Sequence, residues 1–180
     1  MTVYNTGADS ANTAVRAFLT KVGEFYLGRS FNTASGQGKR DWLRIKDGVF
    51  GEKCAYCDEK TKLQIEHLIM FNREEFGLHH PGNLVPVCSE CNKRKKINNK
   101  YVNWEKQLEF ICKERGEMDK FHKRKIKIIK HIKEEKYPEL SKEEKHSIRV
   151  IAGSLYTNIK SELDKSIELY KQLDKAFVKK

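Results

Sequence analysis

No stretch of this sequence approaches the roughly eighteen consecutive apolar residues that a membrane-crossing helix needs, so a membrane span is excluded at the outset. The first residues, MTVYNTGADSANT, lack the basic segment and apolar run of a secretory leader, and a cytoplasmic location is the expectation. There is no internal repeat, no low-complexity tail and no recognisable base-reading module. Apolar residues make up 38% of the 180 and charged residues 34%, enough for one thin-cored domain with helical elaborations but not for a large core.

Negative charge is also short. The net charge is +11, and it is unevenly spread. Residues 1–90 balance 11 basic against 11 acidic side chains, residues 91–136 carry 16 against 7, and residues 137–180 carry 9 against 7. The excess therefore sits in one block, the electrostatic footprint of a polyanion partner. A solvated lysine-rich helix surface would look the same from charge alone.

Cysteine is scarce but patterned. Four of the five cysteines form two pairs, Cys54-x2-Cys57 and Cys88-x2-Cys91, with 30 residues between them. In a reducing compartment, two such pairs read as a tetrahedral zinc site, not as disulfides. The fifth, Cys112, shares a helical face with Trp104, Leu108 and Ile111 and reads as a small core residue.

The periodicity predicts an amphipathic helix over 10–27, capped by Ser10 or Asn12, with Val15, Phe18, Leu19, Val22, Phe25 and Tyr26 on one face. A loop follows over 28–39, then a short helix over 41–49 that turns Trp42 and Ile45 inward. Residues 63–68 alternate as a half-buried strand does. Residues 83–87 form a second apolar stretch, and Pro86 marks it as an edge strand or turn. A helix is expected from Cys88 onward, carrying Asn92 and then Lys93, Arg94, Lys95 and Lys96. Further helices cover 104–115, ended by Gly116, and 121–136, broken by Pro138. Ser141 and Glu144 form a capping box ahead of an apolar stripe from Leu155 through Leu163 and Tyr170 to Phe177, read as core or as a helix–helix dimer surface. His79 and His80 are expected as solvent-exposed loop residues, with phosphate contact or assistance to catalysis as the alternative, and His122 and His131 are expected to face solvent or DNA.

Within or just beyond the loop tied by the cysteines lie Glu66, His67, Asn83 and Asn92. Glu66 and Asn92 offer oxygen atoms to a hard divalent cation. His67 can act as general base on an attacking water, and such a cation would stabilise a pentacoordinate phosphate. The lysines and arginine at 93–96 suit phosphate contact.

The order Cys54-Ala-Tyr-Cys57, Ile65-Glu66-His67, Pro81-Gly-Asn83-Leu-Val-Pro-Val-Cys88-Ser-Glu-Cys91-Asn92-Lys-Arg-Lys95 resembles the zinc-bound branch of the HNH, or ββα-metal, endonucleases. The resemblance covers roughly residues 50–100. It implies a two-stranded hairpin followed by a helix around one catalytic metal. It assigns His67 as general base, Glu66 and Asn92 as metal ligands, Asn83 as the brace of the loop, and Cys54, Cys57, Cys88 and Cys91 as structural zinc ligands. Two positions depart from the usual pattern: Glu66 stands where Asp is commoner, and Met70 where proline is frequent.

The expected fold is therefore α+β and mostly helical: a zinc-stapled ββα-metal core over 50–103, an N-terminal helical segment over 1–49, and a C-terminal helical region over 104–180 for DNA binding or dimerisation. The expected function is hydrolysis of double-stranded DNA by a restriction or defence nuclease. It would use structural zinc and catalytic magnesium, or another divalent cation, with no small-molecule cofactor. A homodimer could act on a symmetric site. A non-catalytic zinc-knuckle nucleic-acid-binding protein and an RNA-cleaving toxin nuclease remain as alternatives.

Overall fold

The computed structural model describes residues 7–177. Its elements are α1 (Gly7–Leu27), α2 (Gly36–Leu43), a wide helical turn (Arg44–Val49), β1 (Leu63–His67), a 3-10 turn (Pro81–Asn83), β2 (Leu84–Cys88), β3 (Lys96–Ile97), β4 (Lys100–Tyr101), α3 (Trp104–Glu114), α4 (Met118–Glu134) and α5 (Lys142–Phe177). The architecture is α+β, with two small two-stranded sheets among flanking helices.

β1 and β2 pair antiparallel, with Leu63 opposite Cys88 and His67 opposite Leu84. Every residue of β2 is buried. Pro86 lacks an N–H, but its carbonyl faces outward and accepts from the Ala55 N–H at 2.8 Å. The proline thus sits in a strand whose outer edge is covered by the first cysteine pair.

Two apolar cores form. The first gathers both cysteine pairs with Ile45, Phe50, Tyr56, Leu68, Val85 and Val87, closed by Leu108, Ile111 and Cys112 of α3 and Ile128 of α4. Arg124 of α4 ties this core to the first knuckle. Its guanidinium, with only 3% of the side chain exposed, donates to the Cys57 carbonyl at 3.0 Å, to Asp58 at 2.8 Å and to Glu117 at 3.0 Å. The second core lies between α1, α5 and the segment 71–78, through Val15, Leu19, Leu78, Ile148 and Ala152. α1 and α5 run antiparallel: Gly7 lies against Lys160 and Asp164, while Tyr26 donates to Glu144 at 2.7 Å.

Several expectations are corrected. Ser10 and Asn12 lie inside α1, which is already helical at Gly7. α2 begins at Gly36, inside the stretch read as loop. No helix follows Cys88. The chain turns after Cys91 and makes the β3–β4 hairpin, and the helix of this region starts only at Trp104. The reason is local: Asn98 and Asn99 both take the left-handed conformation, at φ 50° and 61°, which is a two-residue I′ turn. Asn103 then caps α3, accepting from Lys106 N–H at 2.8 Å. The Ser141–Glu144 capping box forms as expected, with reciprocal bonds of 3.1 and 2.7 Å.

His131 is buried, not exposed. Its Nε2 lies 2.9 Å from the Leu84 carbonyl, and burial lowers its pKa. The α5 stripe is not a buried core: Leu155 and Ile159 are half-buried, Leu163, Ile167, Tyr170, Leu173 and Phe177 are exposed, and the α5 residues buried against α1 are Ile148 and Ala152, ahead of the stripe. No helix among the described residues is long and apolar enough to cross a membrane.

The Arg124 contacts make a stability prediction. Replacing Arg124 with Leu leaves Asp58, Glu117 and the Cys57 carbonyl without their shared donor. The expected cost is about 2–4 kcal/mol, measurable as a lower denaturant midpoint with the slope unchanged.

Candidate active site

The site is built on a sulfur knot. The four thiols of Cys54, Cys57, Cys88 and Cys91 are buried, and their Sγ atoms all lie within 4.8 Å of one another. Cys57 Sγ and Cys88 Sγ are 3.9 Å apart. Zinc–sulfur bonds of about 2.3 Å at tetrahedral angles require sulfurs about 3.8 Å apart, so the cluster fits a four-thiolate ion. Hydrogen bonds from the Cys57 and Cys91 thiols push the Cys54 thiol below its usual range, so the cluster favours one thiolate.

Between the knuckles, β1 ends on Glu66 and His67. Both line a pocket of about 510 Å³ with Arg16, Met70, Phe71, Asn72 and Tyr101. Arg94 folds under this pocket. Its guanidinium pairs with the Glu66 carboxylate and donates at 3.0 Å to each of the His67 and Leu68 carbonyls. Tyr56, fully buried in the first knuckle, sits beside the same pair, and burial pushes its phenol up. Arg94 therefore does not lie on the surface with its neighbours: only 5% of its side chain is exposed.

Lys93, Lys95 and Lys96 do reach the surface. Lys93 pairs with Glu90 and Lys95 with Glu114, while the Lys96 ammonium lies 4.4 Å from the Tyr101 ring centre.

Asn83 is buried in the turn before β2. Its Nδ2 donates at 2.9 Å to the carbonyls of both Ile69 and Leu78, and its Oδ1 accepts from Ile69 N–H at 2.7 Å. One amide side chain thus ties together both ends of the loop 69–78. Gly77 allows the loop to close on itself, because a Cβ there would meet the Ile69 carbonyl oxygen at 2.0 Å. Asn92 stands near the opposite end of β1, with its Nδ2 donating to Gln64 at 2.7 Å. Gln64 and Glu66 alternate onto one face of the strand, so Asn92, through Gln64, lies along the face that carries Glu66.

His67 is half buried. Its ring stacks on Phe71 at 4.7 Å and 13°, and its Nε2 lies 3.0 Å from Nδ1 of His79. Burial, followed by the positive fields of His79, Arg94 and Arg16, pushes its pKa down to about 3. The imidazole is therefore neutral near pH 7. Glu66 moves the other way: burial lifts its carboxyl above the ordinary value although Arg94 is beside it. The Glu66 carboxylate is paired with Arg94 and Asn92 Nδ2 with Gln64, so the two oxygen-bearing side chains share a face of β1 while each is engaged with a protein partner.

Residues 54–97 match the family model described as HNH endonuclease. The matched segment runs from the first knuckle to β3 and contains the four cysteines, Glu66, His67, Asn83 and Asn92. The match supports a nuclease-type function for a segment that makes up about a quarter of the chain. No curated protein and no solved structure matches the chain.

The HNH segment recruits residues that local reading missed. His79 and His80 are not solvent residues. His80 is buried and accepts from Gly82 N–H at 3.1 Å, and burial pushes its pKa down to about 4. Arg16 reaches the pocket from α1, fifty residues upstream of the motif, and only packing reveals it. For Arg94, the signal was the acidic partner on β1, which becomes visible once β1 and the second knuckle are placed side by side.

Asn83 gives the sharpest test of this geometry. Asn83→Ala removes three bonds to the loop backbone, one of them fully buried, an expected loss of about 2–4 kcal/mol. Hydrogen exchange over 69–79 should accelerate before that of α3 and α4. Equal acceleration throughout would contradict a local brace.

Proposed function

We propose that the protein is a metal-dependent endonuclease that hydrolyses DNA phosphodiester bonds at the Glu66–His67 pocket. The observation that carries this reading is the placement of a neutral, packed imidazole and a desolvated carboxylate in one open pocket, within the segment that matches the HNH model.

His67 receives the proton of an attacking water. Its imidazole is unprotonated at neutral pH, while Phe71 and the Asn83-braced loop hold its ring. Glu66 and Asn92 would hold the divalent cation, Glu66 through its carboxylate and Asn92 through Oδ1, because Nδ2 is occupied by Gln64. When bound, the cation supplies a Lewis acid for the phosphate and its leaving oxygen. Arg16 places a positive charge at the pocket rim, where a phosphate enters. Arg94 serves from beneath. It neutralises Glu66 and anchors the backbone carbonyls of His67 and Leu68, fixing the end of β1.

Lys93, Lys95 and Lys96 lie on the surface next to the second knuckle and form the nearest part of the basic block. Such contacts position a duplex without reading its sequence. A restriction or defence role is the biological reading, since a basic nuclease without a base-reading module suits destruction of foreign DNA.

The test is cleavage of supercoiled plasmid by purified protein with magnesium, alongside His67→Ala. The wild type is expected to linearise or nick the plasmid, and the variant to lose at least about a hundredfold in rate. Discrete fragments would support a restriction role, and a smear a less specific nuclease. Cleavage of RNA but not DNA overturns the substrate assignment. Undiminished cleavage by His67→Ala overturns the assignment of the base.

A further inference from the structure

The His79 side chain is held too firmly for a loop residue. Its ring centre is 4.9 Å from that of Phe31 and 5.6 Å from that of Phe71. Its backbone is pressed against α1, where a Cβ on Gly23 would meet the His79 carbonyl oxygen at 2.4 Å. All of this packing aims one nitrogen, Nδ1, at Nε2 of His67.

Two ring nitrogens 3.0 Å apart share one proton, so one ring donates and the other accepts. If His79 donated, His67 would have to accept through Nε2. A neutral His67 would then carry its own proton on Nδ1 and have no lone pair left for water. If His67 donates from Nε2, its Nδ1 is the free base. The basic lone pair lies in the ring plane, so the Phe71 ring stacked on one face holds the imidazole without covering it. Glu24 acts on His79 from α1. Its carboxylate accepts from Lys21 and from Phe31 N–H. Burial lowers the His79 pKa against the opposing charge of Glu24, so His79 is a neutral ring with one bare nitrogen able to accept.

We propose that His79 is a positioning residue that holds His67 in the tautomer with its proton on Nε2, leaving Nδ1 to take the proton from the attacking water. This rests on the reading of His67 as the base. In the step, a water O–H bond breaks and its proton goes to Nδ1 of His67. The oxygen bonds to phosphorus as the bond from phosphorus to the leaving oxygen breaks, the electron pair staying with that oxygen, which takes a proton from solvent water. His67 becomes an imidazolium whose Nε2–H still donates to His79 Nδ1, and it later returns its extra proton to solvent. The arrangement parallels the orientation of an imidazole by an acceptor in other hydrolytic centres, with an imidazole in place of the acceptor carboxylate.

Two substitutions separate positioning from packing. His79→Asn keeps an acceptor oxygen where Nδ1 stood but loses the ring. His79→Phe keeps a ring between Phe31 and Phe71 but loses the acceptor. His79→Asn is expected within about fivefold of wild-type kcat, and His79→Phe about a hundredfold below it, with KM within about threefold for both. The opposite order, or a full-rate His79→Phe, overturns the proposal. A second readout needs no activity: nitrogen-15 chemical shifts of the His67 ring in the wild-type protein. They should show Nε2 protonated and Nδ1 bare near neutral pH, and the reverse tautomer overturns the proposal. If the wild type cuts no nucleic acid yet His67 shows the expected tautomer, the positioning stands and the nuclease reading falls.

Discussion

Four sulfurs that must converge on one point constrain everything else in the functional half of the chain. Cys54 and Cys57 lie before β1, and Cys88 ends β2. A single centre therefore fixes both ends of a 30-residue excursion. A domain with so little apolar material gains stability from such a staple. Here the staple is extended in two directions. The Ala55–Pro86 bond seats the first knuckle on β2, and Arg124 reaches from α4 to the Cys57 carbonyl. The four-cysteine core, the hairpin and two helices thus share one frame, and Glu66 and His67 lie at its edge.

The pocket depends on a second, polar constraint. Arg94 follows the second knuckle by three residues and grips the end of β1, while Asn83 ties both ends of the loop beyond it. Charges of opposite kind are thereby held out of water at close range, and their pKa shifts follow from that placement. His67 is kept neutral by burial and by surrounding cations, whereas Glu66 is desolvated in a way that favours a cation nearby. α1 then closes the site from outside, bringing Arg16 to the rim and Gly23 against His79.

Legibility in the sequence followed the range of the interactions. The paired cysteines, the strand over 63–67, the Ser141–Glu144 box and the burial of Cys112 are encoded within a few residues, and the structure shows each of them. The segment after Cys91 was misread because a run of Asn, Lys and Arg is as compatible with a helix as with turns. The Asn98-Asn99 pair was the available signal for the hairpin. His79, His80 and His131 were placed at the surface because nothing local distinguishes a histidine packed by distant aromatic rings from a solvated one. The α5 stripe looked continuous, yet α1 is only 21 residues long and cannot cover the 36 of α5.

The central claim is that a metal held by sulfur alone supports the hairpin that carries the site. Elemental analysis and X-ray absorption on the purified protein test it most directly. One zinc per chain in a first shell of four sulfurs at about 2.3 Å is predicted, and its removal by a chelator should release hydrogen exchange in β1 and the loop 69–78 while α1 and α5 stay protected. Bound metal with nitrogen or oxygen neighbours, or a metal-free protein with β1 still protected, would contradict the account.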